Sequence, residues 1–206
     1  MSGAGSPRVL AGVFVGGAGR RMGGKAKGLL RTADGVTLVE RWLGLLARVG
    51  AEVVLVGASE AYAPLGLEGL QDEPAGVGPI GGLAALLRRG RGRPVLAVAC
   101  DLPYVSAALI ERLLSAPAAS VVAPVRDGRW EPLCARYEPA RVQPVIARLL
   151  AARRHALQAV LDDAGALAMA LSQDEEGELR DWDFPGDVDG QARAGSAPGT
   201  PGIRGS

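Results

Sequence analysis

Cysteine is scarce in this chain, with Cys100 and Cys134 the only two among 206 residues. Two cysteines so far apart are too few for a disulfide framework or a zinc-ligand cluster. A nucleophilic cysteine would need a base nearby, and the sequence identifies none. We therefore expect both side chains to be reduced thiols that serve the packing of a core.

Long apolar runs and a large net charge are also missing. No apolar run approaches the roughly 20 residues that a membrane helix needs, and residues 1–8 lack the basic-then-apolar order of a secretion signal. The 23 basic and 22 acidic residues leave a formal net charge of +1, so no overall field would gather nucleic acid or an anionic membrane. We expect a cytoplasmic protein with small-molecule partners and with neither nucleic acid nor membrane among them.

Aromatic residues are few, at 4%, whereas glycine occurs 30 times. In a chain of this composition a single glycine or arginine carries little information, so function must be sought in spaced motifs. The hydrophobic share of 48% over 206 residues is enough for one substantial core and too small for two domains of ordinary size. We expect one domain over residues 8–188, a flexible N-terminus over 1–7 and a disordered, apolar-poor tail over 189–206.

Short apolar runs alternate with amphipathic segments along the chain. Residues 37–49 show the helical spacing best, because Leu38, Trp42 and Leu46 recur on one face. The alternation predicts an α/β fold with a mostly parallel central sheet, covered by helices on both faces through right-handed crossovers. Predicted strands are 9–15, 53–56, 94–99, 120–124, 132–137 and 167–171, and predicted helices are 37–49, 80–89, 106–114 with Ser106 as N-cap, 142–150 and 155–164.

The segment GGAGRRMGGKAKG, residues 16–28, is the most informative stretch. Its glycines allow backbone N–H groups to approach an oxyanion, and its basic residues add charge, which together suit a triphosphate. Two familiar phosphate loops fail here. The dinucleotide pattern places Met22 where its third glycine belongs, and the P-loop pattern places Ala26 where a hydroxyl should bind Mg²⁺.

The same segment resembles the signature of the molybdenum cofactor guanylyltransferases and their nucleotidyltransferase relatives. Two glycines follow the first strand, then come Arg20 to Gly24, and then a lysine five residues after Met22. A glycine-rich strand-to-helix connection in a glycine-biased protein is the alternative. The resemblance extends over roughly residues 8–188 and implies a three-layer, Rossmann-like nucleotidyltransferase fold.

The resemblance also implies roles for individual residues of the loop. Arg21 and Lys27 would neutralise the charge that grows on the departing pyrophosphate. The family's Leu-Ala before the glycines is replaced by Phe14-Val15, and the acidic residue common before the lysine is Ala26. The residues expected to offer backbone contacts to the nucleotide are Phe14, Val15, Gly16 and Gly17.

Asp101 directly follows the predicted strand 94–99, within Cys-Asp-Leu-Pro. Ligands of open α/β sheets bind at the carboxyl ends of strands, where a carboxylate suits Mg²⁺. On spacing alone, an aspartate that caps the next helix is an equal alternative. The resemblance favours the metal, because the family places a Mg²⁺ ligand in this motif. Asp101 is therefore expected to bind metal and nucleotide.

Other parts of the expected site follow from the resemblance as well. Asp72 precedes Gly-Pro-Ile-Gly-Gly-Leu at 78–83, which is similar to a family element beside the nucleotide, so Asp72 would contact ribose or base. Residues 131–137 resemble the strand on the acceptor side of the cleft. Asp183 would be a second metal ligand or an acceptor contact. His155, the only histidine, is expected on a helix surface.

The function implied is transfer of GMP from GTP to the molybdopterin cofactor, with Mg²⁺ as cofactor and release of pyrophosphate. Molybdoenzymes and other cofactor-biosynthesis proteins are then the implied partners. A cytidylyltransferase on the same cofactor and a sugar-phosphate nucleotidyltransferase are alternatives. The departures at Phe14, Val15 and Ala26 also keep open a non-catalytic protein that binds and delivers nucleotide or cofactor.

Overall fold

Residues 9–16 and 26–182 are described by a computed structural model. The strands in these residues are β1 (Leu10–Phe14), β2 (Glu52–Val56), β3 (Gly69–Leu70), β4 (Val95–Ala99), β5 (Val121–Arg126), β6 (Arg129–Trp130), β7 (Cys134–Tyr137) and β8 (Leu167–Met169). They join in one sheet of order β3-β2-β1-β4-β7-β5-β6, with β8 paired to β5.

Helices follow most of the strands, and side-chain caps fix where several begin. The helices are α1 (Leu38–Arg48), α2 (Pro79–Gly90), α3 (Ala107–Ser115), α4 (Pro139–Ala151), α5 (Leu157–Asp163) and α6 (Gln173–Glu178), with 3₁₀ turns at Lys27–Leu29 and Glu60–Leu65. Thr37 and Glu40 form a reciprocal capping box at the start of α1, and Ser106 accepts a hydrogen bond from Leu109 N at the start of α3.

The sheet is mostly parallel. β1 pairs in parallel with both β2 and β4, β3 pairs in parallel with β2, and β8 pairs in parallel with β5. β7 runs antiparallel between β4 and β5, and β6 folds back on β5 as a hairpin. The carboxyl ends of β1, β2, β3, β4 and β5 consequently lie along one edge of the sheet.

Apolar side chains cover both faces of the sheet and form two separate core clusters. One cluster joins the sheet to α2, α4 and α5, and the other joins it to α1, α3 and the chain after α6. Alternate residues of β1 enter opposite clusters, as the period of a strand requires: Leu10 and Phe14 pack in the first, and Ala11 and Val13 in the second. The expected three-layer α/β fold is confirmed.

Most predicted elements are present with ends shifted by a few residues. The sequence interpretation missed the two-residue strands β3 and β6, because such short strands carry no periodicity, and it missed α6. His155 is exposed, as expected, but it lies just before α5 rather than within a helix. The predicted flexible ends, 1–7 and 189–206, lie outside the described residues. Within the residues that are described, no helix is long and apolar enough to cross a membrane.

Candidate functional site

A lysine and an aspartate meet at the carboxyl edge of the central strand β4. Lys27 Nζ donates to Asp101 Oδ2 over 2.6 Å, although 74 positions separate the two residues in the chain. Their side chains are only 19% and 21% exposed, so the pair is partly shielded from water but still reachable. The fold thus brings together two of the residues that the sequence assigned to the site.

The position of Lys27 depends on a buried tyrosine. Gly28 N donates to Tyr62 Oη over 3.1 Å, and a Cβ added at Gly28 would lie 2.9 Å from that oxygen. Burial raises the pKa of Tyr62 to about 12, so the phenol stays neutral and accepts the hydrogen bond. Tyr62 therefore fixes the 3₁₀ turn that carries Lys27, a role that no sequence motif indicated.

The end of β1 is packed against the end of β2. Val15 N and Gly16 N both donate to the carbonyl oxygen of Val56, over 3.0 and 3.2 Å. Gly57 has a positive φ of 72°, and a Cβ there would lie 2.8 Å from the Cα of Gly16. Side chains at either glycine would separate the two strands, which explains why glycine is needed where the loop leaves the sheet.

Phe14 lies in the core, so the expected contact with nucleotide would involve its backbone and not its side chain. Its side chain is 8% exposed and packs in the cluster with α2. Its carbonyl oxygen accepts from Cys100 N over 3.1 Å, which ties the end of β1 to the residue before Asp101.

Asp72 lies against the first turn of α2. A Cβ added at Gly82 would be 3.1 Å from Asp72 Oδ1, and one added at Gly81 would be 3.1 Å from Asp72 Cβ. The glycines thus let the carboxylate approach a helix N-terminus, where the helix dipole favours negative charge. Asp72 is on the β1–β2–β3 side of Asp101, together with Gly16.

Residues 172–182, which we call the C-terminal clasp, form hydrogen bonds with the loop that carries Asp101. Trp182 N donates to the carbonyl oxygen of Asp101 over 3.0 Å, and the indole Nε1 donates to Tyr104 Oη over 3.1 Å. Glu178 accepts from Ser106 N at the start of α3, over 2.9 Å. Because Trp182 is only 1% exposed, the clasp is anchored in the core beside the candidate metal ligand.

The opposite side of Asp101 is bounded by the hairpin of β5 and β6. Ala99 N donates to the carbonyl oxygen of Leu133 over 2.7 Å, which places residues 131–133 next to the end of β4. Glu131 forms an ion pair with Arg126, 2.9 Å from Nε to Oε1. Burial raises the pKa of the Glu131 carboxyl, and the Arg126 guanidinium opposes that rise.

Asp101 offers the hard oxygen ligands that suit Mg²⁺. In the described ranges, 9–16 and 26–182, no group of three or more His, Cys, Asp or Glu side chains is arranged to hold a metal. Mg²⁺ needs no such group, since it is commonly held by one or two carboxylates together with substrate phosphates. The residues present therefore fit Mg²⁺ at Asp101. Gly17, Arg21 and Asp183 lie outside the described residues, and their roles remain predictions.

The two cysteines are core residues, as expected. Burial raises the pKa of Cys100 to about 12, with the neighbouring Asp101 carboxylate adding to the rise, and burial likewise raises the pKa of Cys134 to about 12. A neutral, buried thiol is a poor nucleophile. Beyond Tyr62, the sequence interpretation also missed Trp182 and Tyr104, whose partners are distant in the chain and could not be found from local spacing.

Residues 11–170 match the MobA-like NTP transferase domain. Two relatives are molybdenum cofactor guanylyltransferases. The protein from Pseudomonas putida is 33% identical over 168 residues, which is 79% of this chain and 87% of the relative, and that from Serratia proteamaculans is 32% identical over 167 residues, 78% and 82% of the two chains.

Solved structures show the same fold. Molybdopterin-guanine dinucleotide biosynthesis protein A from Archaeoglobus fulgidus superposes with a TM-score of 0.73 at 23% identity, covering 90% of this chain and 98% of that one. A 2-C-methyl-D-erythritol 4-phosphate cytidylyltransferase from Thermus thermophilus gives 0.65 at 19% identity, covering 91% and 100%. With its matched domain, its relatives and its Lys27–Asp101 edge, the chain is a nucleotidyltransferase that belongs to the MobA-like NTP transferase family.

Proposed function

We propose that this chain transfers GMP from GTP to the molybdopterin cofactor and releases pyrophosphate, with Mg²⁺ as its metal. The observation that carries the proposal is the contact between Lys27 Nζ and Asp101 Oδ2 at the carboxyl edge of β4. The proposal takes the ammonium group as the partner of phosphate oxygens and the neighbouring carboxylate as the ligand of the metal. The relatives that cover most of the chain are named for guanylyl transfer, which supports GTP as the donor.

In the proposed reaction, an oxygen of the acceptor's terminal phosphate attacks the α-phosphorus of GTP. The bond from that phosphorus to the bridging oxygen breaks, and pyrophosphate leaves with the electron pair. Lys27 would bind the triphosphate and neutralise charge that develops on the leaving group. Asp101 would hold Mg²⁺, which supplies further neutralisation of phosphate charge. The acceptor phosphate is already anionic near pH 7, so no general base is needed.

The two sides of the cleft suit two substrates. Gly16 and Asp72 lie on the β1–β2–β3 side of Asp101, which we assign to the nucleotide. Gly17 and Arg21, which follow Gly16 in the sequence, are proposed to bind the same nucleotide. The β5–β6 hairpin lies on the other side, which we assign to the molybdopterin cofactor together with Asp183. The product would pass to molybdoenzymes, directly or through other cofactor-biosynthesis proteins.

Donor and acceptor are tested together by measuring pyrophosphate release from each of the four nucleoside triphosphates with Mg²⁺, with and without molybdopterin cofactor. We expect release that requires both GTP and the cofactor. Release with CTP in place of GTP would contradict the donor. Release that is independent of the cofactor would contradict the proposed acceptor. No pyrophosphate release with any nucleoside triphosphate would favour a binding and delivery protein.

The role of Asp101 is tested by Asp101→Asn, which keeps the side chain's shape and removes its charge. We expect turnover to fall at least roughly 100-fold, or about 2.7 kcal/mol in the activation barrier. Asp163→Asn is the matched control, because Asp163 is an exposed residue of α5 that pairs with Arg148 and Arg154. If both variants retained wild-type turnover at saturating Mg²⁺, Asp101 would not be the metal ligand.

A further inference from the structure

The hairpin of β5 and β6 stands at the edge of the sheet where the site lies. β5 runs parallel to β4, since both pair antiparallel with β7 between them, so its carboxyl end at Arg126 faces the same way as Asp101. In the strand order, β1, whose end carries Gly16, lies on one side of β4, and the hairpin lies on the other side, beyond β7. The hairpin is therefore on the side of Asp101 that we assign to the acceptor.

Helix α5 fixes this hairpin in place. Trp130 N donates to Gln158 Oε1 over 3.1 Å, and Gln158 Nε2 donates back to the Trp130 carbonyl over 2.9 Å. The Trp130 indole Nε1 donates to Asp162 Oδ1 over 2.7 Å. A hairpin whose second strand has only two residues would be only marginally stable by itself. The hydrogen bonds from Trp130 to α5 therefore hold it in one conformation, as a rigid side of the cleft.

Glu131 directly follows β6, and its backbone N donates to the carbonyl oxygen of Pro124 in β5. Its side chain is 23% exposed, and Arg126 Nε engages Oε1 at 2.9 Å. Among the residues that the structure describes, no hydrogen bond or ion pair is formed with Oε2. A carboxylate has about four lone-pair sites, so the pair with Arg126 leaves acceptor capacity on the other oxygen. Asp181 lies near enough to add negative potential at Glu131.

We propose that Glu131 is a specificity-determining contact for the acceptor and accepts hydrogen bonds from the ring N–H and the exocyclic amino group of a 2-aminopyrimidin-4-one. This inference rests on the proposed function, in which the acceptor is a pterin that carries this edge. Guanine presents the same pair of donors. The hairpin lies across Asp101 from Gly16 and Asp72, which we assign to the nucleotide, and this position assigns the contact to the pterin.

The test is Glu131→Gln, which keeps shape but turns one acceptor oxygen into an amino donor that opposes the ligand's own donors. We expect the KM for molybdopterin cofactor to rise at least roughly tenfold, while the dissociation constant of GTP changes less than twofold. Glu138→Gln is the matched control, because Glu138 follows Tyr137, which pairs with Val95 at the opposite end of β4. Glu131→Asp keeps the charge and should raise the KM less than Glu131→Gln.

Two results would overturn the assignment. Unchanged KM for the cofactor in a folded Glu131→Gln variant would remove Glu131 from the acceptor site. A weakened GTP affinity with an unchanged cofactor KM would show that the carboxylate reads guanine instead. Thermal unfolding of each variant establishes that the fold is intact, and Glu131→Asp replaces Glu131→Gln if the latter fails to fold.

Equilibrium binding separates this inference from the proposed transfer. Quenching of 6-hydroxymethylpterin fluorescence by the wild-type chain and by Glu131→Gln measures pterin binding without turnover. If wild type binds the pterin at least tenfold more tightly than the variant, the contact stands even where GTP transfer fails. If wild type and variant bind equally, or wild type does not bind, the contact is wrong even where GTP transfer succeeds.

Discussion

Lys27 and Asp101 place opposite charges at the position where a triphosphate and a metal would meet. The two residues would rarely meet in the unfolded chain, because 74 positions separate them. The buried Tyr62 holds the turn of Lys27 from one side, and the Phe14 carbonyl holds Cys100 from the other. Two rigid supports, rather than the charges alone, therefore set the distance of 2.6 Å.

We expect Lys27→Met to weaken GTP binding at least roughly tenfold, about 1.4 kcal/mol. Methionine keeps an apolar stem but loses the ammonium that would bind the triphosphate. Titration with a fluorescent GTP analogue measures the effect. Arg48→Met removes the same charge from the exposed end of α1 and should leave the affinity unchanged. Equal affinities for wild type and Lys27→Met would remove Lys27 from the nucleotide site.

Among the secondary-structure elements, the C-terminal clasp has the most direct effect on the site. It contacts the Asp101 carbonyl, the Tyr104 hydroxyl and the first amide of the α3 cap, all within the loop after β4. Tyr104 and Trp182 also meet edge to face with centroids 6.5 Å apart. Because α6 has no buried residue, the clasp restricts the loop through these hydrogen bonds and this ring contact rather than through the packing of α6.

We expect Trp182→Phe to lower kcat/KM by roughly tenfold, because the variant loses the hydrogen bond from the indole N–H to Tyr104 Oη, which helps to hold the Asp101 loop. The matched control is Trp42→Phe. Trp42 Nε1 is buried and has no hydrogen-bond partner among the described residues, so its removal breaks no hydrogen bond among them and should leave activity unchanged.

The loop role of Trp182 is separated from a general packing role by a double-mutant cycle with Tyr104→Phe. If the indole acts through the Tyr104 hydroxyl, the two substitutions together should lower kcat/KM no more than Trp182→Phe alone. Simple additivity of the two losses, with a matching fall in melting temperature, would indicate that Trp182 serves packing only.

The sequence predicted the long elements well and the short ones poorly. α1 can be predicted from the spacing of its apolar residues and from the Thr37–Glu40 capping box, both of which are local signals. β3 and β6 contain two residues each and exist only because a neighbouring strand offers hydrogen bonds. The antiparallel position of β7 between β4 and β5 could not be predicted from the sequence either, because strand order depends on contacts between distant segments.

At the scale of the whole molecule, one sheet separates two apolar cores. Leu86 of α2 and Leu113 of α3 are both fully buried, and they pack against opposite faces of the sheet in different clusters. Leu86 approaches the backbone of β1 so closely that a Cβ at Gly12 would lie 2.4 Å from its Cδ2. Each core therefore supports the strands that carry the site from its own side.

We expect Leu86→Ala and Leu113→Ala each to lower the free energy of unfolding by about 2–5 kcal/mol, since each creates a cavity in a close-packed core. The double variant should show the sum of the two losses to within about 0.5 kcal/mol, because the sheet keeps the sites apart. Urea denaturation measures all three. A double variant that loses far less than the sum would contradict two independent cores.

The fold class could be predicted from the sequence, because strand and helix periods and helix caps are properties of neighbouring residues. The glycine-rich segment, Lys27 and the Cys-Asp-Leu-Pro motif likewise predicted the residue types of the candidate site. The tertiary structure was needed to show that Lys27 contacts Asp101, that Tyr62 and Trp182 hold the segments that carry them, and that Glu131 lies on the β7 side of β4. These contacts join residues far apart in the chain, so they follow from strand order and packing rather than from any local pattern.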